Sequence, residues 1–582
     1  MNKNKNTDTD SNNNEPPENI VKEGQSLIDK KKFAEALSFI NNHLKDYPKS
    51  ITFNNFLGLL ALSDNNFDDA KVYFDKAFEY GSDIKVYNNN LSIIYSAIGS
   101  NCFDNEDYKS ALNNFLLAIK QGPLNPLINY FNVHKCYRKM NDFAAAEMVL
   151  KDALKNYPNS FAIYYHLHEM EIEQSNYNKA LEYIRKSYEI STSYDDSVTK
   201  LPILIKFSKL LRSFGFINES ISIYVKAFLL DPRSKLIALD IVFLYMDLQD
   251  YKNAFKYIKL AYSIDSNNKL INTLKAFIDY KLNGNDALDS LTSIAINNPN
   301  FNLPHKYKGD IYFNNKNYKN AYLSYKECGD ENYYQCLQSL LLDEDNNNLK
   351  NHFNDNLGID HKTSSINQIS ASRLNIDYSN KFLKNPLEFI HKKDEIALLT
   401  DEYVNNLLDE IENVFDKKDY ILNSESNSLN NCSQTLGNFF LLENNYINEL
   451  KILIKVLVDE FMNSFKKGNE IFFDKWNEDY KIIGKVLKLN KGSVINPIHQ
   501  DKGWVTGIIN LNSDNKINLN LSENMLNNNS DDIDQKSYSL NKGDTIIFPS
   551  SLCYNKLSST HKDNTLIIFY AIPRPDNDKI YV

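Results

Sequence analysis

Small residues recur along the first half of the chain at nearly constant intervals, each within a stretch whose apolar positions repeat with a helical period. Successive members are 34, 41, 35, 34, 40, 34, 33 and 34 residues apart. The series is Ala36, Ala70, Ala111, Ala146, Ala180, Ser220, Ala254, Ala287 and Ala321. A small residue lets two helices approach closely, and apolar residues four and seven positions later fill the seam between neighbours. The pattern therefore predicts nine successive helix-turn-helix units.

The interval is the period of the tetratricopeptide repeat, which this half of the chain resembles. In FLGLLALSDNNFDDAKVYFDKAF, Gly58 is on the predicted inner face of the first helix, and Ala70 and Phe74 are on that of the second. The resemblance implies an all-α solenoid over residues 18–328 with a groove that binds a protein or peptide partner. The two longest intervals predict insertions of about one turn in the third and sixth units, near SNCFDNED and STSYDDSV.

Two histidines in YYHLHEM, His166 and His168, are candidates for metal binding only if they share a face. Residues two apart on a helix point in different directions. We interpret both as structural or surface residues and not as metal ligands.

The second half of the chain shows a different pattern. The polar, Asn-rich segment around residues 343–368 predicts an irregular helical connector over 329–384, after the repeats. At the other end of the chain, residues 1–17 are predicted to be a disordered tail. Residues 385–582 begin with two predicted helices, TDEYVNNLLDEIENVF and NNYINELKILIKVLVDEFMNSF. Short apolar runs separated by turns follow: IIGKVLKL, VTGIINL, INLNLS, KSYSL, DTIIF and TLIIFYAI. About eight short antiparallel strands in a double-sheet jelly roll are predicted, which makes the chain a two-domain α + β protein.

The segment NPIHQDKGW, residues 496–504, places His499 and Asp501 two positions apart. Alternate residues of a strand share a face, so an imidazole and a carboxylate at this spacing can reach one metal ion. The two residues are candidate metal ligands.

Residues 385–573 resemble the 2-oxoglutarate/Fe(II)-dependent oxygenases of the prolyl-hydroxylase-like superfamily that are linked to tetratricopeptide repeats. The matching pieces are NPLEFI, SQTLGNFF, FFDKW, LNKGSVINPIHQDKGWVTG and NKGDTIIFPSSL, with an apolar strand that ends FYAIP. The resemblance implies a double-stranded β-helix, the jelly roll of these enzymes. It also implies Fe(II) held by two imidazoles and one carboxylate, with 2-oxoglutarate as cosubstrate and an arginine that binds its far carboxylate.

The chain departs from the oxygenase pattern at two of these positions. Tyr554, in FPSSLCY, stands where the second histidine ligand is expected, and Asn564 stands at the position of the arginine. His561 is an alternative third ligand, and Lys562 or Arg574 is an alternative cation for the cosubstrate. On this interpretation His499 and Asp501 are the first half of an iron site whose second half is missing.

Two functions fit this pattern. The first is a protein- or peptide-binding scaffold whose oxygenase-like domain has lost full catalytic competence. The second is an active Fe(II)/2-oxoglutarate-dependent dioxygenase that hydroxylates a protein or peptide side chain. Tyr554 and Asn564 favour the first function, and the sequence leaves the enzymatic status open.

Composition and charge limit the classes of partner and the cellular location that we expect. The chain has 582 residues and a formal net charge of −10, from 65 Lys and Arg and 75 Asp and Glu, so it has no basic footprint for nucleic acid. No apolar run of about 18 residues predicts a membrane span. Six widely spaced cysteines without a C-x-x-C pair indicate reduced thiols. We expect a cytoplasmic protein.

Overall fold

The computed structural model describes residues 14–194, 197–284, 287–357, 360–394, 396–416, 421–426, 429–442, 444–465, 470–495, 503–511, 517–522, 535–558 and 564–573. The chain divides into two compact units, residues 1–194 and 195–582. The first unit is helical, and the second contains further helices and all the strands described.

Ten helices form the described part of the first unit, and they follow one another as five antiparallel pairs. They are α1 (Glu18–Asp29), α2 (Phe33–Leu44), α3 (Ile51–Ser63), α4 (Phe67–Glu79), α5 (Ile84–Asp104), α6 (Tyr108–Lys120), α7 (Leu127–Lys139), α8 (Phe143–Asn156), α9 (Phe161–Glu173) and α10 (Tyr177–Ser191). Before them, the carboxylate of Glu15 accepts a hydrogen bond of 2.9 Å from Ser50 Oγ at the start of α3. Residues 1–13 of the predicted tail lie outside the described residues.

The second unit continues the helical pairs. Its helices are α11 (Ser197–Phe214), α12 (Ile217–Leu230), α13 (Lys235–Asp247), α14 (Tyr251–Ile264), α15 (Lys269–Asn283), α16 (Leu288–Asn297), α17 (Leu303–Asn314) and α18 (Tyr318–Lys326). Within the predicted connector lie α19 (Tyr333–Leu342), α20 (Asn346–His352) and α21 (His361–Leu374). The helices α1 to α18 make nine pairs, the number of units that the sequence period predicts.

The seam within each pair is built as the spacing predicts. All nine small residues of the series are buried. In three pairs a glycine of the first helix faces an aromatic ring of the second: a Cβ atom on Gly58 would lie 2.4 Å from the Phe74 ring. The same relation joins Gly99 to Phe115 and Gly309 to Tyr325. The prediction that these small residues pack at the seams is confirmed.

The extra residues of the third pair are not where the sequence suggests. The turn after SNCFDN resembles those of other pairs, with φ +61° at Glu106 and φ +58° at Asn65. The helix α5 instead has 21 residues, whereas α3 has 13. The predicted position of this insertion is therefore wrong. The added residues lengthen α5 at its start, where a helix can absorb them without disturbing the seam.

In the rest of the second unit, the described residues form three α-helices and ten strands. The helices are α22 (Asp401–Asp416), α23 (Asn445–Ser464) and α24 (Ile471–Asp474). The strands are β1 (His391–Lys393), β2 (Ile421–Ser426), β3 (Leu429–Thr435), β4 (Tyr480–Ile495), β5 (Val505–Asn510), β6 (Ile517–Ser522), β7 (Gln535–Leu540), β8 (Thr545–Pro549), β9 (Cys553–Ser558) and β10 (Asn564–Pro573). Both predicted helices and all six predicted strands are present. We call this part of the chain the sheet domain.

The strands pair antiparallel in the order β1-β8-β5-β10-β4-β9-β6-β7, and β3 joins β2 to β4. The long strand β4 pairs with β10 along its first ten residues and with β9 at Val494 and Ile495. It thereby connects a first group, β8-β5-β10-β4, to a second group, β9-β6-β7. The strands β5 and β10 lie in the middle of the first group.

Alternation along the strands separates two cores. Ile567 and Phe569 of β10 pack with α22 and α23, whereas Ile568 and Tyr570 pack with side chains of the second group of strands. The first group is therefore covered by helices on one face and by the second group on the other.

Candidate functional site

The interior between the two groups of strands contains the tyrosine predicted at the third-ligand position. Tyr554, on β9, is 2% exposed and lies opposite Leu521 of β6. Its ring meets that of Phe548 edge-on, with centroids 6.5 Å apart. Most of its other neighbours in this core are aliphatic: Leu487, Leu489, Ile508, Ile517, Leu519, Leu521, Leu540, Ile546, Leu552, Leu566 and Ile568. The phenol is thus surrounded mainly by apolar side chains.

A second buried tyrosine lies close to Tyr554. The Tyr570 side chain, on β10, is 7% exposed and interacts with Tyr554 across the two groups of strands. Burial, and then the neighbouring Tyr554, raise the pKa of Tyr570 well above its ordinary value. Tyr570 is therefore a neutral phenol at physiological pH. Burial also raises the pKa of the adjacent Cys553 thiol, which stays protonated.

A small polar group lies beside Tyr570 where β5 begins. The hydroxyls of Thr506 and Ser550 are 2.7 Å apart in a hydrogen bond, and both side chains are buried. A Cβ atom on Gly503 would lie 2.9 Å from Tyr570 Cβ and 3.6 Å from Ser550 Oγ. The chain that follows NPIHQDK therefore enters the sheet against Tyr570.

Asn564 lies on the same face of β10 as Tyr570 but at the other end of the strand. Asn564, Leu566, Ile568 and Tyr570 alternate along β10, and Asn564 is buried opposite Leu489. Six residues of strand span about 20 Å. Asn564 thus faces the same interior as the tyrosine pair without adjoining it. The predicted site residues His499, Asp501, His561, Lys562 and Arg574 lie outside the described residues.

Tyr570 was not predicted as a site residue, although the sequence contains a signal for it. In TLIIFYAI, the period of two places Tyr570 on the face of Asn564, which had been singled out as a site residue. The sequence does not show that β9 and β10 lie in different groups of strands. That arrangement brings Tyr554 opposite Tyr570.

A second candidate surface lies in the first unit, where aliphatic side chains are exposed. Ile128 is 60% and Leu124 78% exposed at the start of α7, and Ile93 of α5 is also exposed. The Leu124 N–H donates to Asn89 Oδ1 at 3.0 Å, one turn before Ile93, and Ser96 Oγ donates to Asn129 Oδ1 at 2.7 Å. These bonds join the interior of α5 to the start of α7. We call the exposed side chains of Ile93, Leu124 and Ile128 beside them the α5/α7 patch.

The histidines of the fourth and fifth pairs have a structural role at the seam. His134 Nδ1 lies 3.1 Å from the carbonyl of Ala146, and His168 Nδ1 lies 2.9 Å from that of Ala180. A carbonyl only accepts, so each ring donates from Nδ1. Burial lowers the pKa of His134 to about 4, so this imidazole is neutral in the folded protein.

Within the described ranges, no group of three or more His, Cys, Asp and Glu side chains is arranged to hold a metal ion. No helix in the described part of the chain combines the length and apolarity that crossing a bilayer requires. No disulfide joins any of the six cysteines.

Comparisons with known proteins bear on the repeats. Two tetratricopeptide-repeat family models match residues 137–195 and 239–268. No curated protein matches the chain.

Among solved structures, yeast Tom70 is similar at 13% identity with a TM-score of 0.32, over 61% of this chain and 88% of its own. Pseudomonas aeruginosa PilF is similar at 14% identity with a TM-score of 0.27, over 40% of this chain and 96% of its own. MamA is similar at 20% identity with a TM-score of 0.26, over 30% of this chain and 92% of its own. The helical pairs, the buried small residues and the matching family models agree, and the chain contains tetratricopeptide repeats.

Proposed function

We propose that this chain is a tetratricopeptide scaffold for a protein or peptide partner, fused to a 2-oxoglutarate/Fe(II) oxygenase-like jelly-roll domain that has lost full catalytic competence. Solenoids of helical pairs present extended surfaces that suit protein ligands. The net charge of −10 disfavours a nucleic-acid partner. Six cysteines without a disulfide suit the cytoplasmic location that is part of the proposal.

The strand order supports the jelly-roll part of the proposal. After β5, after β7, after β8 and after β9 the chain crosses from one group of strands to the other, and β10 lies between β4 and β5. Crossings of this kind make the two interlocked Greek keys of a jelly roll, whose two sheets enclose a cavity. The core shared by the two groups of strands fits this arrangement.

The buried pair Tyr554–Tyr570 carries the proposed loss of catalysis. An iron(II) site of this family needs a second imidazole where Tyr554 stands. Tyr570 lies close to Tyr554 in an apolar core, which favours neutral phenols, and the adjacent Cys553 thiol is neutral as well. A neutral phenol or thiol is a poor ligand for Fe(II), because the anion is the binding form. The described residues therefore do not fit an iron centre.

The cosubstrate position points the same way. A buried carboxylate needs a cation, and arginine meets it with two parallel hydrogen bonds. Asn564 is neutral and buried. It offers 2-oxoglutarate an amide in place of that charge.

For the partner, the α5/α7 patch is the surface that the proposal uses. Exposed contiguous aliphatic side chains are typical of protein interaction sites. We infer that a partner segment with apolar side chains packs on Ile93, Leu124 and Ile128.

An anaerobic titration of the full chain with Fe(II) and 2-oxoglutarate tests the catalytic part. We expect weak metal binding, no charge-transfer absorbance of a chelated cosubstrate, and little decarboxylation. The double variant Tyr554→His/Asn564→Arg should improve both binding and decarboxylation. Tight Fe(II) binding and 2-oxoglutarate consumption by the native chain, abolished by His561→Ala, would instead establish the active dioxygenase.

Selection of binding peptides from a displayed library tests the scaffold part. We expect the selected peptides to carry apolar anchors and to lose at least tenfold in affinity for the Ile128→Asp variant. Met148→Asp is the matched control, because Met148 is 67% exposed on α8, outside the patch. Equal losses for both variants would reject the α5/α7 patch as the binding surface.

A further inference from the structure

The turn between α11 and α12, in the sixth pair, differs from most other turns of the repeats. Seven turns of the repeats place a residue other than glycine in the left-handed region, and so does the turn between α19 and α20: Lys31, Asn65, Glu106, Asn141, Ser175, Gln249, Lys316 and, in the last case, Glu344, with φ between +57° and +61°. The sixth pair has Gly215 there, with φ +86°. Since other residues accept this conformation in eight turns, backbone conformation alone does not account for the glycine.

The space around Gly215 accounts for it. A Cβ atom on Gly215 would lie 2.1 Å from the carbonyl oxygen of Leu436 and 2.6 Å from its carbonyl carbon. From the opposite side, a Cβ atom on Gly437 would lie 2.3 Å from Gly215 N. Both obstacles are backbone atoms, which cannot rotate away as a side chain can. The two glycines therefore allow two backbones to meet.

A hydrogen bond joins the same two segments. The Asn438 N–H donates to the carbonyl of Ser213 at 3.3 Å. The contact thus links the end of α11 to the segment SQTLGNFF, which the sequence analysis singled out and the proposed function does not use. We call residues 436–438 the docking turn.

The docking turn is itself held rigidly on the sheet domain. Asn438 Oδ1 accepts from Gly484 N at 2.9 Å and from Phe440 N at 3.2 Å, and Asn438 Nδ2 donates to the carbonyl of Ile482 at 3.2 Å. These bonds secure the turn on strand β4. A turn fixed in this way can meet a second rigid surface without losing further conformational entropy.

We propose that the docking turn is an interaction surface whose partner is the sixth repeat of the same chain. It couples the sheet domain to the repeats of the second unit so that the two move together. Domains joined only by a linker move relative to each other unless an interface holds them. The inference stands whether or not the sheet domain binds iron.

The test compares two glycine variants of the full chain by peptide-level hydrogen exchange. Gly215→Ala introduces a methyl group into the contact. Gly284→Ala is the matched control: Gly284 ends α15 with φ +68°, and a Cβ atom there would meet nothing within 4 Å. Both substitutions impose the same kind of backbone strain, so their difference isolates the contact.

We expect Gly215→Ala to speed exchange in residues 433–441 by about tenfold or more, while β5 and β10 keep their protection and Gly284→Ala leaves residues 433–441 unchanged. Gly437→Ala, made on the other side of the contact, should speed exchange at the α11–α12 turn. The double variant should add little, because the second substitution acts on a contact already lost. Equal effects of Gly215→Ala and Gly284→Ala would overturn the proposal. So would loss of protection throughout α11, α12, β4 and β10 in both Gly215→Ala and Gly437→Ala, since the contact would then belong to folding and not to docking.

Discussion

The repeats and the sheet domain bury polar groups by opposite means. In the repeats, a buried polar side chain finds its partner nearby: His134 and Ala146, His168 and Ala180, and Ser220 and Ser208 are each 12 residues apart. In the sheet domain the partners are distant, as for Val486 N and Thr435 Oγ1, which are 51 residues apart. The first arrangement repeats with the sequence period, whereas the second depends on topology. Local spacing therefore identifies contacts in the repeats and misses them in the sheet.

The test with the largest expected effect on stability removes one aromatic ring from each region. Phe569→Ala in β10 and Phe74→Ala in α4 each empty a buried site beside a glycine and should cost about 3–5 kcal/mol of unfolding free energy. In hydrogen exchange, Phe74→Ala should affect mainly the second pair and its neighbours, because each repeat contacts only adjacent repeats. Phe569→Ala should affect β4, β5, β8 and the helices α22 and α23 together. Equally local effects in both regions would contradict the comparison.

A pH titration tests the neutral histidine of the seam. The folded pKa of His134, about 4, is below the ordinary 6.5, chiefly through burial; Arg138 and His166 lower it further, whereas the Ala146 carbonyl and Glu169 raise it. The unfolded chain thus binds a proton more readily, so this stability is complete above about pH 6.5 and is lost as the pH falls toward 4. The loss should be about 3 kcal/mol between pH 7 and pH 4.

Urea unfolding at each pH, monitored by hydrogen exchange in α7 and α8, measures this loss. His134→Ser is the control, because the sixth pair has buried Ser208 at this position of the seam. Its pH dependence should be shallower than that of the native chain by this amount. Identical slopes for the two proteins would show that His134 does not titrate as described.

A third test overfills a seam. Ala180 is fully buried in α10, and Ala180→Leu should cost about 1–3 kcal/mol because the added methylene groups displace close-packed neighbours. Thermal unfolding of the full chain measures the loss. The nearby Lys179→Leu variant, at an exposed position, is the control and should change stability little. No difference between the two variants would contradict the seam.

The smallest expected effect concerns the tyrosine pair. A double-mutant cycle with Tyr554→Phe and Tyr570→Phe should give a coupling free energy of about 1 kcal/mol, the usual contribution of one hydrogen bond. Tyr538→Phe in β7 is a control outside the pair, and its effect should add to either substitution without coupling. A coupling energy of zero between Tyr554 and Tyr570 would remove the observation that carries the proposed loss of catalysis.

The candidate site could be predicted only in part. The sequence marked Tyr554 and Asn564 as departures from an oxygenase pattern, and both are buried. It did not connect Tyr554 with Tyr570. Their proximity depends on two successive strands, β9 and β10, lying in different groups, which no local pattern encodes.

The docking contact was harder to predict from the sequence than the candidate site. Gly215 occupies a turn at which seven other repeats have a residue other than glycine, so its presence was visible as an exception. The partner, Gly437, is more than two hundred residues away in the chain. Nothing in either segment alone predicts that two backbones meet there.

The amino-acid sequence by itself determined the helical pairs, their seams and the positions of the main strands. These depend on side chains a few residues apart, whose apolar and small positions follow the helix and strand periods. Only the tertiary structure decided which buried groups face one another: Tyr554 and Tyr570 across two groups of strands, and Gly215 and Gly437 across the repeats and the sheet domain. The physical reason is that such contacts form between segments whose separation along the chain carries no period, so packing of the whole unit selects the partner.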